Sequence, residues 1–285
     1  MPSFEPVRAI LRGLEILRVI SEMGPISGTD IAKQVSLPQP TIIRILETLI
    51  SAGYIYRLEG SALYGVTART LALSRGFDAT SRLVQLATPM IEDLRTEIGW
   101  PSNLATFDHG GMTIAYTNRS AHGMSIPSRL GARIPVMATA VGVVYLAHLP
   151  PEALAAALAQ LKTSHSRWDT APALLATLED RLEAARRNGH AFAEDAYLEE
   201  IYHSQIWAVA VPIMVGGRVV AALSSLVLGS AGPRNRILAQ ILPALKRTSQ
   251  NIAASLEKDA GIEAQEAKAR SSARRPSPRK AKHTV

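Results

Sequence analysis

Cysteine is absent from the 285 residues. Disulfides and thiolate metal sites are therefore excluded, and the chain suits a reducing compartment, so a cytoplasmic location is expected. Aromatic residues are scarce, at 5%. No long uninterrupted apolar run is present. The most apolar region, 206–229, is broken by Pro212, Gly216, Gly217 and Arg218 and reads as two strands rather than a membrane helix. The opening MPSFEPVRAILRGLEILRVI spreads two acids and three arginines through its length, unlike a secretory leader, and no membrane partner is expected.

Charge of one sign is also missing from most of the chain. Residues 267–285 hold seven Lys or Arg (Lys268, Arg270, Arg274, Arg275, Arg279, Lys280, Lys282) and no acid. The remaining 24 basic groups equal the 24 acidic ones, so the tail carries the whole +7. Such a tail attracts nucleic acid or anionic surfaces without identifying a folded DNA-binding domain.

What is present is a 47% apolar chain, long enough for two ordinary domains. Val7, Ile10, Leu11, Leu14, Leu17 and Ile20 form a helical stripe over 7–22, ended by Gly24-Pro25. SGTDIAKQV (27–35) reads as a short helix capped by Ser27, with Asp30 three residues on. Ser36-Leu37-Pro38 turns into a third helix over 39–52, which tolerates Pro40 in its first turn and stops at Gly53. Tyr54–Leu58 and Leu63–Thr67 pair as a hairpin. Three helices and a hairpin make a winged helix-turn-helix, with Leu14, Leu17, Ile31, Leu46 and Ile55 expected in its core.

Residues 69–99 read as mostly helical, joining this unit to a second. LATF and TIAYTN pair across His109-Gly110-Gly111, and IWAVAVPIMV pairs with RVVAALSSLVL around Gly216-Gly217. Helices are expected over 138–147, 151–161, 171–188 and 233–256. The fold class is α/β overall, a winged helix-turn-helix followed by an α/β domain with an antiparallel sheet. The divisions are 1–68, 69–99, 100–256 and a basic disordered tail over 257–285, whose Ala, Ser, Pro, Lys and Arg content argues against a packed structure.

Residues 7–75 resemble the DNA-binding domain of the IclR family of bacterial transcription regulators. RGLEILRVI, ISGTDIAKQVSLPQPTIIRILETLISAGYI and YGVT carry the likeness. ARIPVMATAVGVVYLA and AVAVPIMVGGRVVAALS extend it through the second domain. The order and spacing of these segments carry it, not any one motif. The resemblance implies a homodimer or tetramer on a palindromic double-stranded operator, with RNA polymerase as a further candidate partner.

In a helix-turn-helix, the start of the second helix meets the base edges. Gln39, Pro40, Thr41, Ile43 and Arg44 stand there. Gln pairs with adenine, Arg forks onto guanine and Ile packs on a thymine methyl. Each polar group can instead only touch phosphate. Arg57, at the wing base, is a phosphate candidate, as are Lys33 and Arg8 more weakly. Many family members carry a polar residue at the position of Ile43, Gly at that of Ser36 and Ser at that of Pro40. Residues 1–80 hold eight Lys or Arg against seven acids, thin for affinity through phosphate neutralisation. The alternative is a sensory scaffold whose winged helix binds a protein.

The second domain resembles the family's effector-binding, GAF-like domain, which holds a small carboxylic acid. WPSNLATF and MTIAYTNRS look closest to activators of phenylpropionate or hydroxyphenylpropionate breakdown, which points to an aromatic acid and aromatic catabolism. The expected wall is Leu104, Met124, Ile126, Met137 and Trp207. The expected polar groups are Thr106, Ser125, Thr139, Ser204, Gln205 and Ser224, with Arg129 or Arg133 for the carboxylate, and Ala140 is expected in the site within the loop around 137–140. Each has a plainer reading: Trp207 as core, Met137 as a gap filler, Thr139 as a helix cap.

Catalytic chemistry finds no support. In HAFAEDAYLEEIYH, Glu194, Asp195, Glu199 and Glu200 with His190 and His203 imitate a metal site, but their spacing matches no zinc motif, and the stretch reads as a loop that is acidic because it is wet. Ser224-Ser225 lies in no G-x-S-x-G elbow, and Gly216-Gly217 belongs to no phosphate-binding loop. No enzyme activity, cofactor or metal is expected.

Overall fold

The computed structural model describes residues 4–74, 79–118, 130–164, 166–203 and 206–273. The chain divides into two compact units, Met1–Asp78 and Ala79–Val285.

The first unit is built from α1 (Arg8–Met23), β1 (Ile26–Ser27), α2 (Gly28–Val35), α3 (Gln39–Ser51), β2 (Ile55–Arg57) and β3 (Leu63–Val66). The wing is three-stranded, in the order β1-β3-β2, because Ile26 and Ser27 add to the expected hairpin. Two residues give too little alternation to announce a strand. The core gathers Ile16, Leu17, Ile20, Ile31, Ile42, Leu46 and Ile55. Leu14, expected among them, is 57% exposed, as are Val7, Ile10 and Leu11 at similar levels. The apolar stripe of α1 is longer than the surface α3 and the wing offer, so only its C-terminal half is covered. A turn of 3-10 helix over Ala68–Ser74 follows.

The second unit opens with α4 (Ala79–Ile98), β4 (Ser102–Asp108), β5 (Gly111–Thr117) and β6 (Arg133–Ile134). Next come α5 (Ala140–Ala147), α6 (Pro151–Leu161), α7 (Pro172–Ala176) and α8 (Leu178–Asn188). β7 (Ala191–Phe192), α9 (Asp195–Tyr202), β8 (Ile206–Val215), β9 (Arg218–Leu228) and α10 (Arg234–Ala273) complete it. Six strands form one antiparallel sheet, β6-β5-β4-β9-β8-β7. Gly216 and Gly217 both take positive φ, 54° and 75°, which gives the tight turn whose twist matches the long β8–β9 hairpin.

Strand alternation separates the faces. Val211 packs toward α10, while Ala208 and Leu226 face α9 and the start of α5. α4 and α10 lie against each other and against the sheet.

Three expectations are corrected. The helix expected over 171–188 breaks at Thr177, where φ is −103° and ψ 5°. HAFAEDAYLEEIYH, read as a wet acidic loop, holds β7 and α9, whose Tyr197 and Leu198 are buried. The order expected to end near 257 continues, since α10 is helical to Ala273. The stretch IEAQEAKARSSA has few residues able to build a core but several of high helix propensity, and the two properties answer different questions.

Candidate functional site

The first site is the start of α3. Ser27 caps α2, its Oγ accepting from the Asp30 N–H at 3.1 Å and donating to Asp30 Oδ2 at 2.7 Å. Lys33 closes on Asp30 at 2.9 Å, and that contact, then Ser27, holds the Asp30 carboxyl below its usual range. Ser36 ends α2 in the left-handed region, φ 50° and ψ 43°, which redirects the chain into α3. Pro38 precedes α3 without a side-chain cap, and Pro40 sits in the first turn, where no N–H partner is forfeited. Gln39, Pro40, Ile43 and Arg44 are exposed, and Thr41 is half-buried. Ile42 and Leu46 anchor the opposite side of the helix in the core. Arg44 makes no ion pair among the described residues. Arg57 Nε donates to the Ser61 carbonyl at 3.1 Å, folding the side chain along the wing.

The second site is a cavity of about 50 Å³ in the second unit. Its floor is strand: Asn103 of β4, Ile114 of β5, Ile134 of β6, Ala208 of β8, Ser224 and Leu226 of β9. α9 contributes Tyr197, Leu198 and Tyr202, with Ala193 before it. Thr139, Ala140 and Val141, at the N-terminus of α5, form the remaining wall. The lining is mostly apolar, with a few neutral donors and no cationic side chain among the described residues. The first-turn N–H groups of a helix lack intrahelical partners and carry partial positive charge. An anion held here meets neutral donors and a helix start.

The wall at α5 is fixed from behind. Asp169, 4% exposed, accepts from the N–H groups of Val136 at 2.7 Å and Met137 at 3.0 Å, and from Ser164 Oγ at 2.8 Å. Arg181 donates to the Met137 carbonyl at 2.7 Å and meets Glu194 at 2.8 Å. Burial pulls the Arg181 pKa down, partly offset by Glu194. The Glu194 N–H donates to the Ala138 carbonyl at 2.9 Å. Thr139 Oγ1 donates to Pro135 and accepts from the Gly142 N–H at 3.2 Å. A Cβ on Gly142 would lie 2.0 Å from the Val136 carbonyl oxygen, so only glycine lets this loop cross the helix.

The family model described as "IclR helix-turn-helix domain" matches residues 9–59, and "Bacterial transcriptional regulator IclR C-terminal" matches residues 79–254. The chain belongs to the IclR family of bacterial transcriptional regulators. It is 24% identical to the transcriptional repressor IclR of Escherichia coli over 200 residues, covering 69% of this chain and 72% of that protein. It is 28% identical to the regulator XynR of the same organism over 222 residues, covering 76% and 85%. Among solved structures, an IclR homolog complexed with 4-hydroxybenzoate from Microbacterium hydrocarbonoxydans superposes with a TM-score of 0.62 at 22% identity. That match covers 88% of this chain and 99% of the other. A regulator from Rhodococcus sp. RHA1 gives 0.63 at 24% identity, covering 90% and 99%. IclR-family members are DNA-binding regulators, so the chain is not an enzyme.

Of the effector residues expected from sequence, Thr139, Ala140 and Ser224 line the cavity. Leu104 and Met137 are fully buried in the core beside it. Trp207 is buried too, packing against Phe192 and the Arg234 guanidinium. Thr106 is absent from the lining, and its hydroxyl is buried without a partner among the described residues. Arg133 donates to the His109 carbonyl, away from the cavity. Met124, Ser125, Ile126, Arg129, Ser204 and Gln205 lie outside the described residues.

On the strands the expected wall and the cavity lining differ in parity. Asn103 and Ala208 face the cavity where Leu104 and Trp207 were expected, one residue along each strand. Tyr197 and Tyr202 were missed because α9 was read as loop. The suspected metal cluster is spent on arginines: Glu194 on Arg181, Asp195 on Arg234 and Glu200 on Arg167. No group of three or more His, Asp or Glu placed to hold a metal occurs among the described residues, nor any helix long and apolar enough to cross a membrane.

Proposed function

We propose that this IclR-family chain is a ligand-responsive regulator of a catabolic operon. In this reading it works in the cytoplasm and binds a palindromic operator as a homodimer. Gln39, Pro40, Thr41, Ile43 and Arg44 are presented to the major groove and Arg57 to the backbone. The observation that carries this reading is the exposed, unpaired polar first turn of α3 backed by a fully buried apolar side. The uncovered face of α1, with Val7, Ile10, Leu11 and Leu14 exposed, is the proposed surface for a second copy. Assembly into a tetramer and contact with RNA polymerase extend the same reading.

The effector is proposed to be a small carboxylic acid, its carboxylate on the Ala140 and Val141 N–H groups with Thr139, Asn103 and Ser224 as further donors. An aromatic acid suits the apolar lining with Tyr197 and Tyr202, and the IclR homolog complexed with 4-hydroxybenzoate shares the fold. A short aliphatic acid is the second reading, favoured by the cavity volume: about 50 Å³ compares with roughly 150 Å³ for an engineered cavity that takes benzene.

A gel-shift of the chain on its own gene's upstream region tests both levels. A discrete shift that survives excess random DNA and responds to 4-hydroxybenzoate, phenylpropionate or a two- to four-carbon acid supports the reading and selects the class. Absence of any specific shift, there and in a genome-wide fragment selection, would replace it with the protein-binding scaffold.

A further inference from the structure

Residues 166–169 lie between α6 and α7 and are absent from the lining of the cavity in the second unit, yet they touch both of its helical walls. On one side, Asp169 Oδ1 accepts from the Val136 and Met137 N–H groups and holds the loop that leads into α5. On the other, Arg167 pairs with Glu200 of α9. The Trp168 ring stands edge-on to Tyr197 of α9, with centroids 5.6 Å apart and planes at 86°. The Arg167 guanidinium also lies over the Trp168 ring, 5.2 Å from its centroid. Tyr197 is 4% exposed and lines the cavity. It therefore meets the cavity and Trp168 at once.

We propose that Trp168 is a specificity-determining residue that never touches the ligand: it backs Tyr197 and so sets how large an acid the cavity accepts. The proposal rests on the reading of this cavity as the effector site. The three walls differ in what holds them. The strand floor is fixed by the ladder, and the start of α5 by backbone bonds to Asp169 and Arg181. α9 is tied mainly through side chains, with Glu194 on Arg181, Asp195 on Arg234 and Glu200 on Arg167. Its inward position therefore depends on what is packed behind it. Interiors are close-packed, and space opened behind a side chain is taken up in part by collapse of that side chain into it. Loss of the indole lets Tyr197 retract and widens a cavity of only about 50 Å³. Trp168 Nε1 is buried without a hydrogen-bond partner among the described residues, whereas a buried indole N–H usually finds one. The position thus uses the bulk of the ring and not its polar edge.

The test is calorimetry on the full chain with straight-chain carboxylates from acetate to octanoate and with 4-hydroxybenzoate. The unaltered chain is compared with Trp168→Ala, Trp168→Leu and Trp168→Phe. Each methylene that finds new room is worth about fourfold in Kd. Trp168→Ala is expected to improve hexanoate and 4-hydroxybenzoate relative to propionate by about tenfold or more, the gain of two methylenes. Trp168→Leu shifts the ratio the same way and carries the test where the Ala variant does not fold. Trp168→Phe, which keeps a ring behind Tyr197, retains the original ranking of acids. Loss of packing alone would weaken every acid alike, so an unchanged ratio in the Ala and Leu variants overturns this proposal and leaves the cavity reading standing. Ala208→Leu fills the cavity floor and is expected to abolish binding of the acids. Binding that survives it, or failure of every acid to bind the unaltered chain and all variants, removes the cavity reading and this proposal with it.

Discussion

Asn103 and Ser224 stand directly opposite each other across the β4–β9 ladder, and both open onto the cavity of the second unit. One cross-strand pair thereby sets two polar groups side by side in a largely apolar floor. Ser224→Ala is expected to weaken effector binding by about 0.5–1.5 kcal/mol, roughly 2- to 10-fold in Kd, by removing one hydrogen bond. Calorimetry with the responding acid measures it. An unaltered Kd with an unaltered melting temperature would remove Ser224 from the binding set.

Arg44→Ala tests the first site. If its guanidinium forks onto guanine, specific binding falls by about 1–3 kcal/mol and discrimination relaxes at one base pair. Equal loss on every sequence would assign Arg44 to the backbone. A panel of single-base operator variants distinguishes the two.

Gly142→Ala places a methyl where the Val136 carbonyl oxygen already lies. The loop over 136–139 must then shift and surrender hydrogen bonds. A destabilisation of about 3 kcal/mol is expected, lowering the melting temperature by roughly 6–12 °C, together with loss of effector response. Thermal unfolding followed by circular dichroism reads the first effect.

Ser36→Gly runs the other way. Ser36 holds the left-handed region between α2 and α3, a conformation costing a non-glycine residue about 1–2 kcal/mol. Glycine is expected to raise stability by about 0.5–1 kcal/mol and leave the turn in place. Urea unfolding provides the measurement.

His190 supplies a pH dependence. Burial is the main cause that lowers its pKa from 6.5; the Asn188 carbonyl raises it, and Lys246 adds to the lowering. The unfolded chain therefore binds a proton more readily than the folded one just below 6.5. Stability should fall as pH drops through 6.5 toward the lower folded value. His190→Gln should remove that part of the decline in melting temperature.

The helix-turn-helix was legible because its signals are local: the Ser27 cap, the prolines around α3 and the 3.6-residue rhythm all act within a few positions. The burial of α1 was not, because the apolar stripe records what a helix can cover and not which half of it meets α3. Both hairpins were readable from their glycine turns, yet the expected wall and the floor of the cavity differ by one position along β4 and β8. Parity along a strand depends on which face the neighbouring helices cover, and the β4–β5 ladder skips Ala115 opposite Leu104 and Ala105, which shifts parity partway along β5. α9 was hidden by its acids, whose arginine partners lie on distant segments of the chain.

The loop over 136–139 commits its backbone to Asp169, Arg181 and Glu194, while the strands opposite reach the cavity with side chains as small as Ala208 and Ser224. These two walls face selection differently. A changed residue on the strands alters what fits and leaves the ladder standing, whereas a change at Asp169 or Gly142 removes the cavity itself. In the proposed reading, a change of effector is therefore met by the strand floor and α9 while the loop stays, and ligand preference can change without the fold being renegotiated.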